Sequence, residues 1–162
     1  MPLPLSALGA IILPNIGGWA GSFLVRKHYS SWYMTLKKPK WTPPKYAFGP
    51  IWTVLYSGMG FASYLVFKEG GGFQGKAGVP LAVYGANLAL NWAWTPLFFG
   101  YHSFKWSVID GMLLMATAAL SGALFHKVDP RAGLMMVPYL AWLGLGSSFA
   151  FYIYQANDKI IK

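Results

Sequence analysis

The sequence has no cysteine and very little charge. Of its 162 residues only 10% are charged, and the acidic ones are Glu69, Asp110, Asp129 and Asp158. The lack of cysteine excludes a disulfide scaffold, a thiolate metal site, an iron–sulfur cluster and a cysteine nucleophile. The four acids are scattered along the chain, which argues against a paired-carboxylate site. A soluble domain carries about 25% charged residues, so this chain has too few to cover a water-exposed surface.

Hydrophobic residues make up 56% of the chain, and its 11 Phe, 8 Trp and 10 Tyr exclude a disordered protein. Charged side chains are absent from residues 1–25, 46–67, 77–104, 111–126 and 132–157. A helix of about 20 apolar residues crosses the hydrocarbon core of a bilayer. The sequence therefore predicts an all-α fold, an integral membrane bundle of five transmembrane helices in one domain of residues 1–162. The predicted spans are about 5–25, 46–67, 79–100, 105–126 and 132–155.

The basic residues predict how the bundle is oriented. Loop 1 (26–45), residue 105 and the tail carry nine Lys and Arg, with Lys159 and Lys162 in the tail, whereas the remaining connections carry four. Because Lys and Arg concentrate on the cytosolic side, we expect loop 1 and the C-terminus to face the cytosol. We attribute the net charge of +9 to attraction to anionic lipid. No soluble domain is left to bind nucleic acid, so the lipid bilayer is the expected partner.

Loop 1 is longer than the other connections and has an unusual composition. It contains three aromatic residues and three prolines, namely Trp32, Tyr33, Trp41, Pro39, Pro43 and Pro44. The prolines restrict themselves and their preceding residues to extended conformations. Two interpretations remain open: an aromatic and basic anchor in the membrane interface, or a lid over a binding site.

Polar and aromatic residues recur at helical spacing inside the predicted spans. On the third helix, Asn87, Asn91, Trp94 and Phe98 share one face. The matching faces on the other helices are Trp52, Tyr56, Met59 and Ser63; Trp106, Asp110, Leu113 and Thr117; and Trp142, Gly146, Phe149 and Ile153. If these faces point inward, the bundle holds a large, flat, mostly apolar ligand. The alternative is that the tryptophans lie in the interface belts and the asparagines bridge helices.

The remaining reactive side chains give little sign of catalysis. Asp110 is the only acid inside a predicted span, so it is either functional or bonded to a helix start or to loop 1. His28, His102 and His126 fall at loops or span ends without metal-ligand spacing. We therefore predict no metal site and no cofactor. The chain also lacks a nucleophile–base pair, a phosphate loop and a dinucleotide motif.

Several motifs resemble the translocator protein family, also called the peripheral benzodiazepine receptor or tryptophan-rich sensory protein family, and its animal members in particular. They are WY at 32–33, KP at 38–39, WTPP at 41–44, FGPIWTVLYS at 48–57, GFASYLV at 60–66, ALNWAW at 89–94, PLFFG at 96–100 and PYLAWL at 138–143. They occur in the family's order over almost the whole chain, which makes the resemblance specific.

The resemblance implies a five-helix protein of the mitochondrial outer membrane, often a homodimer. It implies binding of cholesterol, of porphyrins including protoporphyrin IX and haem, and of isoquinoline and benzodiazepine drugs. The family's ligand positions that match here are Val25, Phe48, Gly49, Ile51, Trp52, Asn91, Trp94, Trp106, Leu113, Trp142 and Gly146. The family's sterol motif departs in this chain, because its anchors fall on Phe149, Phe151 and Gln155.

Two functions follow as hypotheses. The first is a membrane protein that binds and transfers porphyrin or sterol, with Trp52 and Asn91 donating hydrogen bonds to the ligand. The second is an enzyme that degrades protoporphyrin IX through Trp52 and Trp142. For the first, we expect porphyrin to bind by stacking on tryptophan, with its propionates near Arg26, Lys27 and the lysines of 37–40 and with no role for histidine.

Overall fold

The structure is a computed structural model that describes residues 2–161, with side chains to residue 157. Its helices are α1 (Leu5–Tyr29), α2 (Lys45–Glu69), α3 (Gly78–Thr95), α4 (Phe104–Val128), α5 (Pro130–Met135) and α6 (Val137–Ile161). A short 3₁₀ turn, Tyr33–Thr35, lies in loop 1, and a π-helical turn, Pro96–Gly100, continues α3. The described residues form no strand, which confirms the all-α prediction.

Four segments are long and apolar enough to cross a membrane: Leu5–Tyr29, Lys45–Glu69, Phe104–Val128 and Pro130–Asn157. The chain is therefore a multi-pass membrane protein. The third predicted span does not reach that level of hydropathy, because α3 carries Asn87 and Asn91 and two tryptophans. Both asparagines are buried inside the bundle rather than exposed at its surface.

Prolines determine where two of the helices change geometry. Pro96 cannot donate a backbone hydrogen bond, and the chain widens there into a π turn in which the Tyr101 amide donates to the Pro96 carbonyl at 2.9 Å. Pro138 cannot donate to the Leu134 carbonyl, and the fifth predicted span is broken next to it into α5 and α6. The single helix expected over 132–155 is thus wrong in its first turn.

The helices form a ring. α1 packs on α2, α2 on α5, α4 between α3 and α6, and α3 with its π turn closes the ring against α1. Gly60 permits close approach of α1 and α2, since a Cβ there would collide with the Ala10 carbonyl. That carbonyl is the one freed by Pro14, four residues later in α1. Away from the short α5, α6 contacts α2 only sparsely, so the two helices diverge toward loop 1.

Two groups of buried apolar residues fill the bundle. The larger lies between α2, α3, α4 and α6 and includes Met59, Phe125 and Tyr139. The smaller lies beneath loop 1 and includes Tyr33, Phe98, Phe104, Phe149 and Ile153. Trp94, one of the predicted site residues, packs against both groups and lies at their junction.

Candidate functional site

Loop 1 is packed across one end of the bundle. Tyr33 is buried, 5% exposed, against Phe98, Phe99 and Phe149, and burial raises the pKa of its hydroxyl. Lys38 folds back beneath it, donates to the Tyr33 carbonyl at 3.0 Å and lies 4.7 Å from the Tyr33 ring centroid. Burial lowers the pKa of the Lys38 ammonium. The contacts agree with a lid in its closed position.

Asn157 near the end of α6 fastens the middle of loop 1. Its side-chain oxygen accepts from the Lys37 backbone amide at 2.9 Å, and its amide donates to the Lys37 carbonyl at 3.0 Å. A further hydrogen bond to the Ile153 carbonyl fixes the amide on its own helix. Asn157 is only 3% exposed, so these bonds are protected from water. The sequence analysis missed this residue, since an isolated asparagine near a helix end carries no recognisable signal.

An aromatic cluster lies where α2 and α6 diverge. The Trp52 and Trp142 rings are 6.4 Å apart and nearly perpendicular, and Phe48 meets Trp142 edge to face at 5.9 Å. Trp52 also stacks on Tyr56 at 5.0 Å and lies edge-on to Tyr139. The aromatic faces predicted on α2 and α6 therefore do meet.

Next to this cluster, a chain of hydrogen bonds crosses four helices. The Tyr56 hydroxyl donates to Asn91 Oδ1, Asn91 Nδ2 donates to the Tyr139 hydroxyl at 2.9 Å, and Tyr139 donates to Asn87 Oδ1 at 2.9 Å. Asn87 in turn donates to the Thr117 hydroxyl at 2.8 Å. Asn91 is thus already bonded on both sides of its amide. Nδ2 carries a second N–H, so Asn91 can donate to a ligand without breaking either bond.

The other predicted site residues fall into two sets. Trp94 stacks on Phe98 at 4.8 Å, Val25 packs beneath loop 1 and Ile51 against the larger core. Gly49 and Gly146 are exposed, and a Cβ at either would touch nothing within 4 Å.

The structure places only half of the face predicted on the fourth helix inside the bundle, namely Asp110 and Thr117, which accepts from Asn87. Trp106 is 57% exposed and Leu113 is 49% exposed, whereas Asp110 is 5% exposed. The buried face instead runs through Ser107, Asp110, Gly111, Leu114 and Ala118. Small and polar residues turn toward the neighbouring helices because they permit close packing and find partners there.

A groove of about 360 Å³ runs between α1 and α3 beside Gly17, Trp92 and Pro96. A second, of about 220 Å³, lies between α2 and the α5–α6 junction. Both are lined by apolar groups on the outside of the bundle. The described residues contain no group of three metal-ligating side chains.

The charges at this end of the molecule are positive. Arg26, Lys27, Lys37, Lys40 and Lys105 are exposed around loop 1. Asp129 lies at the opposite end, where it caps α5 and pairs with Arg131 at 2.8 Å. Lys159 and Lys162, which the predicted orientation also counts, lie outside the described side chains. A ligand carboxylate placed at loop 1 would meet cations and no described acid.

Comparison with known proteins agrees with this arrangement. The model of the TspO/MBR family matches residues 10–155. The chain belongs to the TspO/MBR family. Relatives in this family include the translocator protein of Bos taurus, 43% identical over 94% of this chain and 90% of its own length, and that of Homo sapiens, 42% identical over 93% and 89%. The tryptophan-rich protein TspO of Chlorobaculum tepidum is 36% identical over 86% of this chain and 88% of its own. The resemblance drawn from the motifs is confirmed.

Proposed function

We propose that this chain binds a flat, largely apolar ligand of the porphyrin class, protoporphyrin IX or haem, and transfers it at the membrane. The observation that supports this proposal is the cluster of Trp52, Trp142 and Phe48 beside the buried Asn91 amide. Indole faces and edges suit a planar macrocycle, and each aromatic contact contributes about 0.5–1.5 kcal/mol beyond the area buried. The same enclosed, apolar surroundings suit a sterol, an isoquinoline or a benzodiazepine.

A ligand enters this site only if the closed side chains give way. The sparse contact between α2 and α6 allows Trp52 and Trp142 to separate, and lifting loop 1 opens the end of the bundle. The exposed cations Arg26, Lys27 and Lys40 then lie near the opening, where they attract the two propionates of a porphyrin. The ring stacks between the tryptophans without help from a metal.

The sterol interaction is not assigned to the family motif on α6. Phe149, its first anchor, is buried beneath Tyr33 and Trp41. Phe151 and Gln155 are exposed on the other side of the helix. The three anchors therefore do not present one surface, and we place the sterol in the enclosed site with the other ligands.

We also propose five membrane spans. α3 with its π turn runs unbroken from Gly78 to Gly100, 18 residues followed by 5, which is about 34 Å at 1.5 Å per residue. Its two asparagines donate and accept inside the bundle, so they do not meet lipid. With five spans the basic end carries loop 1 and the C-terminus to the cytosol. We further propose that the chain is one domain, residues 1–162, and forms a homodimer in the mitochondrial outer membrane, as its resemblance to the family implies.

Titration of the purified protein in lipid nanodiscs with protoporphyrin IX tests the function. Replacing both Trp52 and Trp142 by Phe is expected to weaken binding about 5- to 30-fold, since two indole contacts are reduced. Trp19→Phe is the matched control, because Trp19 is 56% exposed on α1 and away from the cluster. Equal losses in the two variants, or no saturable binding by the wild type, would refute the proposal.

The absorption spectrum in the same titration separates binding from chemistry. A stable, shifted Soret band indicates a bound porphyrin. Its loss with the appearance of a new product, in the wild type but not in the Trp52 and Trp142 variant, indicates the degrading enzyme instead. The degrading enzyme stays a second candidate function because the Trp52 and Trp142 indoles are in perpendicular contact.

A further inference from the structure

A second fastening holds loop 1 at its first turn. The Trp32 ring lies on the His102 ring with centroids 3.9 Å apart and planes 13° apart. His102 joins the π turn to α4 and has φ of 53°, the only positive φ of a described non-glycine residue. This left-handed conformation is uncommon for a side chain larger than glycine, so the surrounding packing holds the imidazole in place.

His28, in the last turn of α1, completes the contact. Its ring meets the His102 ring edge to face, with centroids 5.1 Å apart and planes at 83°. His102 Nε2 is buried and has no hydrogen-bond partner. Protonation of His102 therefore places a buried N–H without an acceptor next to a second ionisable ring. The sequence analysis found no relation between the two histidines because 74 positions separate them in the chain.

The groups around His102 offer no negative charge to balance a protonated imidazole. Arg26 and Lys27 precede His28, and Lys105 follows His102 on α4. Loop 1 adds further cations, Lys37, Lys38, Lys40 and Lys45, and the hydroxyls of Tyr29 and Tyr33, whose rings contact each other at 4.9 Å. Among the described side chains, Glu69 and Asp129 lie at the opposite end, and Asp110 is buried in α4.

The pKa of His102 is lowered, first by burial and then by the neighbouring His28. A backbone hydrogen bond with Phe99 raises the pKa of His102, but burial and His28 outweigh it. A pKa lowered in the closed state means that closure favours the neutral ring. Closure is then at full strength above the pKa of a free imidazole, about 6.5, and is lost as the pH falls below it.

We propose that His28, Trp32 and His102 form an acid-sensitive latch that releases loop 1 when the His102 imidazole becomes protonated. The two hydrogen bonds between the Asn157 side chain and the Lys37 backbone, the Asn157 clamp, involve no titratable group. They therefore hold the middle of loop 1 at any pH. Release at the first turn uncovers the smaller core beneath Tyr33. The proposed release is a property of loop 1 and needs no ligand. One consequence does rest on the proposed function, namely that a bound ligand escapes when the pH falls.

Hydrogen–deuterium exchange of the full chain in nanodiscs, without ligand, tests the latch at pH 7.5 and 5.5. After correction for the intrinsic pH dependence of exchange, peptides covering residues 30–42 are expected to exchange about threefold faster or more at the lower pH. His102→Asn is expected to remove this response, because asparagine tolerates a left-handed conformation and does not titrate. His28→Gln is expected to reduce it by removing the ring that meets His102 edge to face.

His126→Gln is the matched control, because His126 is exposed in the last turn of α4, remote from loop 1. It is expected to retain the wild-type response. Trp32→Phe, which weakens the stack, should speed exchange at both pH values. Two results would overturn the latch. One is a wild-type exchange rate that does not change between pH 7.5 and pH 5.5. The other is an acceleration at pH 5.5 that is as large in His28→Gln and His102→Asn as in the wild type. Because no porphyrin is present, failure of ligand binding leaves this result interpretable.

Discussion

Tyr139→Phe is the sharpest test of the hydrogen-bonded chain that joins the helices. Tyr139 is completely buried, and its hydroxyl both accepts from Asn91 and donates to Asn87, each at 2.9 Å. Phenylalanine keeps the ring and nearly the same volume. The substitution therefore removes two hydrogen bonds, without a large cavity, and leaves Asn91 Nδ2 and Asn87 Oδ1 each short of one partner.

The expected cost follows from what each lost bond contributes. Hydrogen bonds between transmembrane helices contribute about 0.6 kcal/mol on average and up to about 1.7 kcal/mol. Two of them give about 1–3 kcal/mol. Asn87 still bonds the Leu114 carbonyl and Thr117, which keeps its amide in position. For a chain of this length each kcal/mol lowers the melting temperature by about 2–4 °C, so we expect a decrease of roughly 3–10 °C.

Thermal unfolding in detergent micelles, followed by tryptophan fluorescence, measures this decrease. Tyr101→Phe is the matched control, because Tyr101 is 80% exposed, and its melting temperature should stay within about 1 °C of the wild type. In an Asn91→Leu background, Tyr139→Phe should lower the melting temperature by less than it does in the wild type, because Asn91 and Tyr139 share a hydrogen bond. Equal melting temperatures for Tyr139→Phe and the control would refute the reasoning.

Further predictions concern packing, the loop and the ligand. Gly60→Ala is expected to destabilise the fold by about 1–3 kcal/mol, because the added methyl group meets the α1 backbone. Gly85→Ala, at an open position, should leave the stability unchanged, and equal melting curves for the two variants would contradict this. Asn157→Ala removes two bonds to the Lys37 backbone, at about 0.5–1.5 kcal/mol each, so loop 1 should exchange about 5- to 150-fold faster, and an unchanged rate would exclude the clamp. Trp106→Ala should change porphyrin affinity by less than about twofold, because the ring is exposed on the outer side of α4; a tenfold loss in the same titration would place it in the site.

Much of the bundle was predictable because the bilayer imposes a simple rule. A membrane helix must be long and apolar, so the charge-free windows placed α1, α2 and α4 within a few residues of their observed bounds. The rule says nothing about a break inside an apolar window. The separation of α5 from α6 depends on the backbone geometry at Pro138, and the two asparagines of α3 are explained only by partners on α2, α4 and α6.

The sequence by itself determined the class of the molecule, its family and the aromatic side chains that gather between α2 and α6, because composition, charge spacing and ordered motifs are local properties of the chain. Only the tertiary structure decided which side of each helix is buried. A buried helical face is about 100° wide, and each residue turns the helix by about the same angle. On α4 the buried face lies about one residue away from the predicted one, so Asp110 is buried whereas Trp106 and Leu113 are exposed. It also decided which polar groups are paired, since Asn91 with Tyr139, Asn157 with Lys37 and His28 with His102 are distant in sequence. Such pairs form when packed helices bring them together, and no periodicity in the chain records them.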